Sequence, residues 1–135
     1  MLRQIFIPLK ILHKASYVHG DIKPDNICIC KLKSDHSSEE EVKGPCYYKS
    51  EYSFTLIDFG IMSKFKVKNL NRQYESLVGN LLFATLRQLN CKPTRFQDDI
   101  ESLMFIVHIM IAGQLPFESE IHQLMKDNKS FPLLE

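Results

Sequence analysis

The feature that most constrains the fold of this chain is a cluster of polar residues that adjoins one of two short apolar runs in the sequence. The stretch "HGDIKPDN" holds Asp21, Lys23 and Asn26 directly before the β-rich run "NICIC". After a long polar stretch, a second β-rich run, "YSFTLID", ends at Asp58 in the tripeptide "DFG". The pattern predicts two strands, with a polar cluster at the start of the first and an aspartate at the end of the second.

The rest of the chain is dominated by helical patterns. Residues 2–15 place Ile5 and Leu9 at helical spacing, and we expect the regular part of this helix to begin at Pro8. The run "IESLMFIVHIMIAG" is apolar nearly all round, which predicts a central buried helix with His108 in the core. We therefore expect a mainly α fold with a small β-hairpin, of the α+β class.

Two stretches predict loops. Residues 31–50 are rich in Ser, Glu and Lys and contain a Gly-Pro pair, which predicts a solvent-exposed insertion at the tip of the hairpin. The stretch after "DFG" is weakly periodic, which predicts a long loop, and such loops are usually functional or disordered. The last residues predict one more short helix.

The net charge and the cysteine content limit the binding partners and the cellular compartment that we expect for the protein. A net charge of +1 argues against binding to nucleic acid or to a membrane surface, and the longest apolar run is too short to span a bilayer. The four cysteines and the lack of a secretion signal predict an intracellular protein, cytoplasmic or nuclear. We interpret Cys28 and Cys30 as small apolar residues of a strand, with metal binding as the alternative.

The residue types of the polar cluster suit phosphoryl transfer to a hydroxyl group. This reaction needs a carboxylate that accepts the proton of the hydroxyl, and Asp21 provides one. It needs a cation near the phosphoryl group, and Lys23 provides one. Magnesium prefers oxygen ligands, which Asn26 and Asp58 offer, and Gly60 lets the backbone turn sharply after Asp58.

Two motifs in this order resemble those of a known family. "HGDIKPDN" followed by "LIDFG" resembles the catalytic loop and the magnesium loop of protein kinases. "GNLLFATLRQLNCKPTRFQDDIESLMFIVHIMIAGQLPF" resembles the casein kinase 1 group, and "HGD" is similar to the vaccinia-related branch of that group. Lys23 followed by Pro24 is similar to serine/threonine kinases rather than tyrosine kinases.

The resemblance implies a partial protein-kinase-like fold over residues 1–135, corresponding to the C-lobe only. In it, residues 17–30 would form the catalytic loop, 58–87 the magnesium loop and activation segment, and 99–112 the central buried helix. The glycine-rich loop "G-x-G-x-x-G" and the "VAIK" lysine of the N-lobe are absent from the sequence. We therefore expect this chain alone to bind ATP weakly or not at all.

The resemblance also implies a role for individual residues. Asp21 would be the catalytic base and Lys23 would contact the transferred phosphate. Asn26 and Asp58 would hold Mg²⁺ with ATP. The adenine site would include Cys28 and Ile57. The residues that support the site would be His19, Phe59, Gly60, Asn80 and Asp99. Of these, His19 and Phe59 would stack together, and Asp99 would accept backbone N–H groups of the catalytic loop.

Two positions depart from the family pattern. Gly20 stands where many kinases have an arginine that pairs with a phosphate on the activation loop, which predicts activity independent of phosphorylation there. Asn80 replaces a threonine whose hydroxyl bonds the catalytic aspartate and lysine, although an amide also offers a donor and an acceptor.

Three hypotheses follow for the function of the chain. The first is a serine/threonine protein kinase, similar to casein kinase 1, that phosphorylates protein substrates with ATP and Mg²⁺. The intact set Asp21, Lys23, Asn26 and Asp58 favours it. The alternative is an inactive, truncated pseudokinase that acts as a binding module, which Gly20 and Asn80 favour. The third is a fragment without a stable fold.

Overall fold

The computed structural model describes residues 1–32, 51–69, 71–120 and 123. Its elements, in chain order, are α1 (Leu2–Lys14), β1 (Tyr17–Val18), β2 (Ile27–Lys31), β3 (Tyr52–Leu56), β4 (Ser63–Lys64), α2 (Leu86–Leu89) and α3 (Phe96–Ala112). The predicted exposed insertion lies outside the described residues, apart from its first two, and so does most of the predicted last helix. The predicted combination of helices with a small antiparallel sheet is confirmed.

Helix α1 is longer than the sequence pattern predicts. It begins at Leu2 and continues through Pro8, so the prediction that regular helix starts at Pro8 is wrong. A proline inside a helix costs about 3 kcal/mol, because it removes one hydrogen bond and crowds the preceding turn. Ile5 and Leu9 lie on either side of Pro8 and are both fully buried. Their burial offsets this cost, at roughly 1.5–3 kcal/mol for each side chain.

The two strands predicted around the polar insertion form an antiparallel pair. Ile27 of β2 lies opposite Leu56 of β3, and the pairing continues to Lys31 opposite Tyr52. Since successive side chains point to opposite faces of a strand, Leu56 lies on the face that meets the core, whereas Cys28 lies on the exposed face. The start of β2 and the end of β3 therefore lie side by side, which brings the residues before β2 close to those after β3.

A second strand pair was not predicted from the sequence. Tyr17 of β1 pairs with Lys64 of β4, and Val18 pairs with Ser63. Each strand is two residues long, which is too short for an alternating pattern to be recognised. This pair ties the beginning of the catalytic loop to the segment that follows "DFG".

The core lies between α1, the hairpin and α3. Its buried apolar residues come from α1, the catalytic loop, β3, the segment before α2, α3 and the segment after it, and they are Ile5, Leu9, Ile22, Leu56, Phe83, Leu103, Ile106 and Leu115. Ile22 belongs to the catalytic loop itself. The loop is therefore anchored in the core by an apolar side chain as well as by polar contacts.

Helix α3 is buried on one face only. Leu103 and Ile106 are buried, but Met110 is 62% exposed and Ile111 is 83% exposed. His108 is also exposed, so the predictions of an all-round buried helix and of a core histidine are wrong. The apolar composition was misleading, because the described part of the chain buries only one side of this helix. In the part of the chain that the structure describes, no helix is long and apolar enough to cross a membrane.

Candidate active site

The catalytic loop brings a carboxylate, an ammonium group and an amide to one point. Lys23 Nζ lies 2.7 Å from Asp21 Oδ2. Asn26 Nδ2 donates to the same Oδ2 at 3.0 Å and to the backbone oxygen of Asp21 at 2.8 Å. Pro24 begins a short 3₁₀ turn that ends at Asn26, and this turn carries the amide back towards Asp21. The three side chains predicted from the sequence therefore meet.

One oxygen of Asp21 is left without a partner. Its Oδ1 atom is buried and accepts no hydrogen bond within the described part of the chain, although Oδ2 accepts two. Buried polar atoms in proteins are nearly always paired, so an orphaned carboxylate oxygen indicates a place for a ligand group. Asp21 Oδ1 can accept a proton or a hydrogen bond from a hydroxyl that approaches the loop.

The pKa of Lys23 is raised, so its ammonium group holds its proton more firmly. Its hydrogen bond to Asp21 raises the pKa of Lys23, and the negative charges of Asp21, Asp25 and Asp58 act in the same direction. Partial burial opposes them, but the net shift is upward. Lys23 is therefore protonated at neutral pH and has three N–H groups, of which the contact with Asp21 uses one.

Helix α3 holds the catalytic loop through a single buried carboxylate. Asp99 is 1% exposed and accepts the backbone N–H of His19 at 2.8 Å and that of Gly20 at 2.9 Å. His13 Nε2, at the end of α1, lies 2.7 Å from Asp99 Oδ2. The sequence analysis did not single out His13, because nothing in its local pattern shows contact with a residue so distant in the chain.

Helix α2 and Gly79, which lie after the "DFG" segment in the chain, also contact the catalytic loop. Gln88 is buried and donates to the backbone oxygen of Gly20 and to Thr94 Oγ1, both at 3.3 Å. Its Oε1 accepts the N–H of Thr85 at 3.0 Å. At Gly79, an added Cβ would lie 2.8 Å from the Gly20 oxygen. Sequence reasoning missed Gln88, since a glutamine at the start of a short helix carries no distinctive signal.

The magnesium loop, residues 58–60, begins beside Asn26. Ile57 N donates to the backbone oxygen of Asn26 at 2.9 Å, which places Asp58 next to the catalytic loop. Asp58 has a left-handed backbone, with φ of 59°, and its Oδ1 accepts the N–H of Gly60 at 3.1 Å. The exposed Asp58 carboxylate and the neighbouring Asn26 amide are oxygen donors of the kind that Mg²⁺ prefers, so these residues fit that ion.

An aromatic contact joins the two loops. The rings of His19 and Phe59 have centroids 5.0 Å apart and are tilted by 59°. His19 is fully buried, and its Nε2 lies 3.2 Å from the backbone oxygen of Ile57. Phe59 is 45% exposed, so only part of its ring is covered. His19 thus contacts the magnesium loop by its side chain and Asp99 by its backbone.

Three of the predicted residues lie outside this cluster. The side chains of Cys28, on β2, and of Ile57, directly after β3, are exposed and contact none of these polar groups, although the backbone of Ile57 does. Asn80 Oδ1 accepts the N–H of Leu82 at 2.9 Å. Within the described part of the chain, Asn80 makes no hydrogen bond to Asp21 or Lys23, because its carbonyl group closes its own turn instead.

Comparison with known proteins defines the class of protein to which this arrangement belongs. Residues 1–133 match the family model described as protein kinase domain. The chain therefore belongs to the protein kinase domain family. The match covers both loops of the site and all the described helices and strands.

Individual relatives are protein kinases of several kinds. The calcium and calcium/calmodulin-dependent serine/threonine-protein kinase of Oryza sativa is 29% identical over 119 residues, or 88% of this chain. The serine/threonine-protein kinase ppk25 of Schizosaccharomyces pombe is 29% identical over 135 residues, or 96% of the chain. A probable casein kinase I homolog of Encephalitozoon cuniculi is 30% identical over 115 residues, or 82% of the chain. The chain spans 19%, 27% and 32% of the length of these relatives, respectively.

Proposed function

We propose that this chain is the C-lobe portion of a serine/threonine protein kinase, similar to casein kinase 1, that transfers phosphate from ATP to hydroxyl groups of proteins. The observation that carries the proposal is the catalytic loop. Lys23 and Asn26 both lie within hydrogen-bond distance of Asp21, and Asp21 Oδ1 is buried without a partner in the described part of the chain. A structural turn would have no need to leave a carboxylate oxygen unpaired.

In this proposal each side chain has a distinct task. Asp21 Oδ1 accepts the proton of the attacking hydroxyl and orients the hydroxyl oxygen. Lys23 stays charged because its pKa is raised by Asp21, and it donates to the phosphoryl oxygens. Asn26 holds Asp21 through its amide N–H groups and, with Asp58, would hold Mg²⁺. When bound, this ion neutralises charge on the nucleotide phosphates.

The exposed face of the hairpin would receive the adenine ring. Cys28 lies on this face, and Ile57 is exposed just beyond the end of β3. Both residues offer exposed apolar surface on which a flat aromatic ring could lie. ATP would therefore lie across the outer face of the hairpin, with its phosphates directed to Asp58 and Lys23.

The backbone at Gly20 supports activity that does not depend on phosphorylation of the long loop. Gly20 has a φ of 83°, in the left-handed region where any residue with a side chain is strained. The chain is thus built for a glycine at this position, not for an arginine that would pair with a phosphate. Phosphorylation of Ser76 is therefore expected to leave the rate unchanged.

The assignment to the casein kinase 1 group rests on motifs rather than on overall identity. The casein kinase 1-like protein HD16 of Oryza sativa is 28% identical, which is no higher than the identity to relatives with other names. The segment from Gly79 to Phe117 carries the motifs that resemble this group. Substrates of that group are therefore the first to test.

One observation favours a binding module without activity. The side chain of Asn80 is engaged with Leu82 and does not reach Asp21 or Lys23, so the loop lacks one hydrogen bond that the kinase pattern provides. In that case the same surface would bind a protein partner or a nucleotide without transferring phosphate.

Replacing the catalytic base separates the two functions. In the native polypeptide that carries this chain, we expect Asp21→Asn to lower kcat by about 10²–10⁴-fold, because the hydroxyl loses its proton acceptor. The measurement is transfer of labelled phosphate from Mg·ATP to casein. The matched control is Asp25→Asn, which removes an exposed carboxylate from the same loop. Equal rates for the wild type and the Asp21 variant would contradict the kinase proposal.

A further inference from the structure

Two thiols lie next to each other on the outer face of the hairpin. Cys28 and Cys30 are both exposed, and their Sγ atoms are 4.0 Å apart. Both lie in strand β2, as the sequence predicts, and neither side chain is covered in the described part of the chain. Their side chains point to the same face because they are two positions apart on β2. Two accessible thiols in contact form a possible chelating pair.

The separation of the sulfur atoms is that of two unbonded thiols in contact, and it is close to the separation that a bound metal ion requires. Two thiolates on a tetrahedral zinc ion, with Zn–S bonds of about 2.3 Å, lie about 3.8 Å apart. The observed pair would have to close by only about 0.2 Å to reach that spacing. A disulfide requires a sulfur separation of about 2.0 Å. In a strand that rises about 3.3 Å per residue, the two Cα atoms are about 6.6 Å apart, near the upper limit for a disulfide.

We propose that Cys28 and Cys30 form a bidentate site for a soft metal ion of the Zn²⁺ type. Thiolate sulfur prefers such ions, whereas Mg²⁺ prefers oxygen. Each thiol releases one proton on binding, so one ion displaces two protons. In the described part of the chain, no group of three or more His, Cys, Asp or Glu side chains could hold a metal ion, so water or another solution ligand completes the coordination. The site is therefore open and exchangeable.

Occupation of this site has a consequence that rests on the proposed function. Cys28 lies on the hairpin face that the proposal gives to adenine, and Ile57 is exposed just beyond the end of β3. A hydrated metal ion on Cys28 would cover this surface and prevent an aromatic ring from lying on it. Zinc and ATP are therefore expected to exclude each other.

Site-resolved alkylation tests the metal site directly. The native chain is treated with iodoacetamide with and without ZnCl₂, and modification of each cysteine is followed by peptide mass spectrometry. We expect Zn²⁺ to slow modification of Cys28 and Cys30 together, roughly tenfold or more, because the free thiolate is the reactive form. Cys91, which lies in a different part of the fold, is the internal control and should react at an unchanged rate. MgCl₂ at the same concentration should protect neither.

A matched set of variants tests whether Cys28 and Cys30 are the residues that bind Zn²⁺. Native mass spectrometry should show one Zn²⁺ bound to the wild type and to Cys91→Ser, and none bound to Cys28→Ser or Cys30→Ser at the same concentration. Both replaced side chains are exposed, so the variants should retain the circular dichroism spectrum of the wild type. Equal protection of Cys91, Zn²⁺ retained by the single variants, or a disulfide found in place of the free pair would each overturn the proposed site.

A competition experiment tests the consequence separately. Adenosine is the competitor, because it lacks the phosphates through which ATP chelates zinc in solution. Added to the native polypeptide, it should lower the fraction that carries bound Zn²⁺, which native mass spectrometry measures directly. If adenosine leaves the bound Zn²⁺ in place while Zn²⁺ binding still requires both cysteines, the metal site stands and the placement of adenine on this face is wrong.

Discussion

The catalytic loop and the magnesium loop are neighbours, but different contacts hold them in place. The catalytic loop is fixed from several directions: Asp99 accepts two of its backbone N–H groups, Gln88 donates to its carbonyl, and Ile22 lies in the core. The magnesium loop is exposed and is held mostly by its own hydrogen bonds, such as that from Gly60 N to Asp58 Oδ1.

The difference indicates which of the two loops is held firmly by contacts with the rest of the chain. Buried polar contacts are costly to break, so the part of the site that contains His19, Gly20 and Asp21 has one stable geometry. Exposed local contacts cost little to exchange, so residues 58–60 change their conformation more easily. Substitutions on the two loops should therefore have very different effects on stability.

The largest effect is expected at Asp99. The variant Asp99→Ala should lower the free energy of unfolding by about 3–5 kcal/mol, because two buried backbone N–H groups and His13 lose their acceptor. Urea denaturation followed by circular dichroism measures this loss. Glu101→Ala, on the exposed side of the same helix, is the control and should change it by less than about 0.5 kcal/mol. A similar loss for both variants would remove the basis of the comparison.

A smaller effect is expected where the long loop passes the catalytic loop. Gly79 has a φ of 112°, and an added Cβ would lie 2.8 Å from the Gly20 oxygen. We expect Gly79→Ala to lower the free energy of unfolding by about 2–3 kcal/mol.

The control at a second glycine isolates the steric part of that effect. Gly113 also has a positive φ, of 78°, but an added Cβ there would meet no atom within 4 Å. Gly113→Ala should therefore cost only the backbone strain, about 1 kcal/mol. Equal values from urea denaturation would mean that the approach of Gly79 to the catalytic loop contributes nothing.

The smallest effect is expected on the magnesium loop. Phe59 is 45% exposed and contacts His19 through one part of its ring. Phe59→Leu should lower the free energy of unfolding by only about 0.5–1 kcal/mol, since the aromatic pair is lost but most apolar contact remains. The same urea experiment measures this change. A loss as large as that of Asp99→Ala would show that the magnesium loop is part of the rigid core.

Much of the site could be predicted from short stretches of sequence. Asp21, Lys23 and Asn26 are close in the chain, and a turn containing Pro24 brings them together with little help from distant residues. The hairpin strands were also predicted, because β-rich runs with polar flanks are a local signal.

Other features depend on contacts between distant residues. His13 and Asp99 are 86 positions apart, and Gln88 and Gly20 are 68 apart, so no local pattern reveals either contact. The all-round apolar composition of α3 predicted burial on every side, yet Ile111 is exposed, because burial depends on which elements pack against a helix.

The sequence by itself determined the chemistry of this protein: which residues carry a carboxylate, an ammonium or an amide, and which short segments turn or extend. Local geometry follows from a few neighbouring dihedral angles, so the residues of each segment determine it. The tertiary structure alone decided that His13 contacts Asp99, that Gln88 contacts Gly20, and that Cys28 and Cys30 face solvent. All three depend on the packing of distant segments, which is a property of the whole fold and of no single stretch of residues.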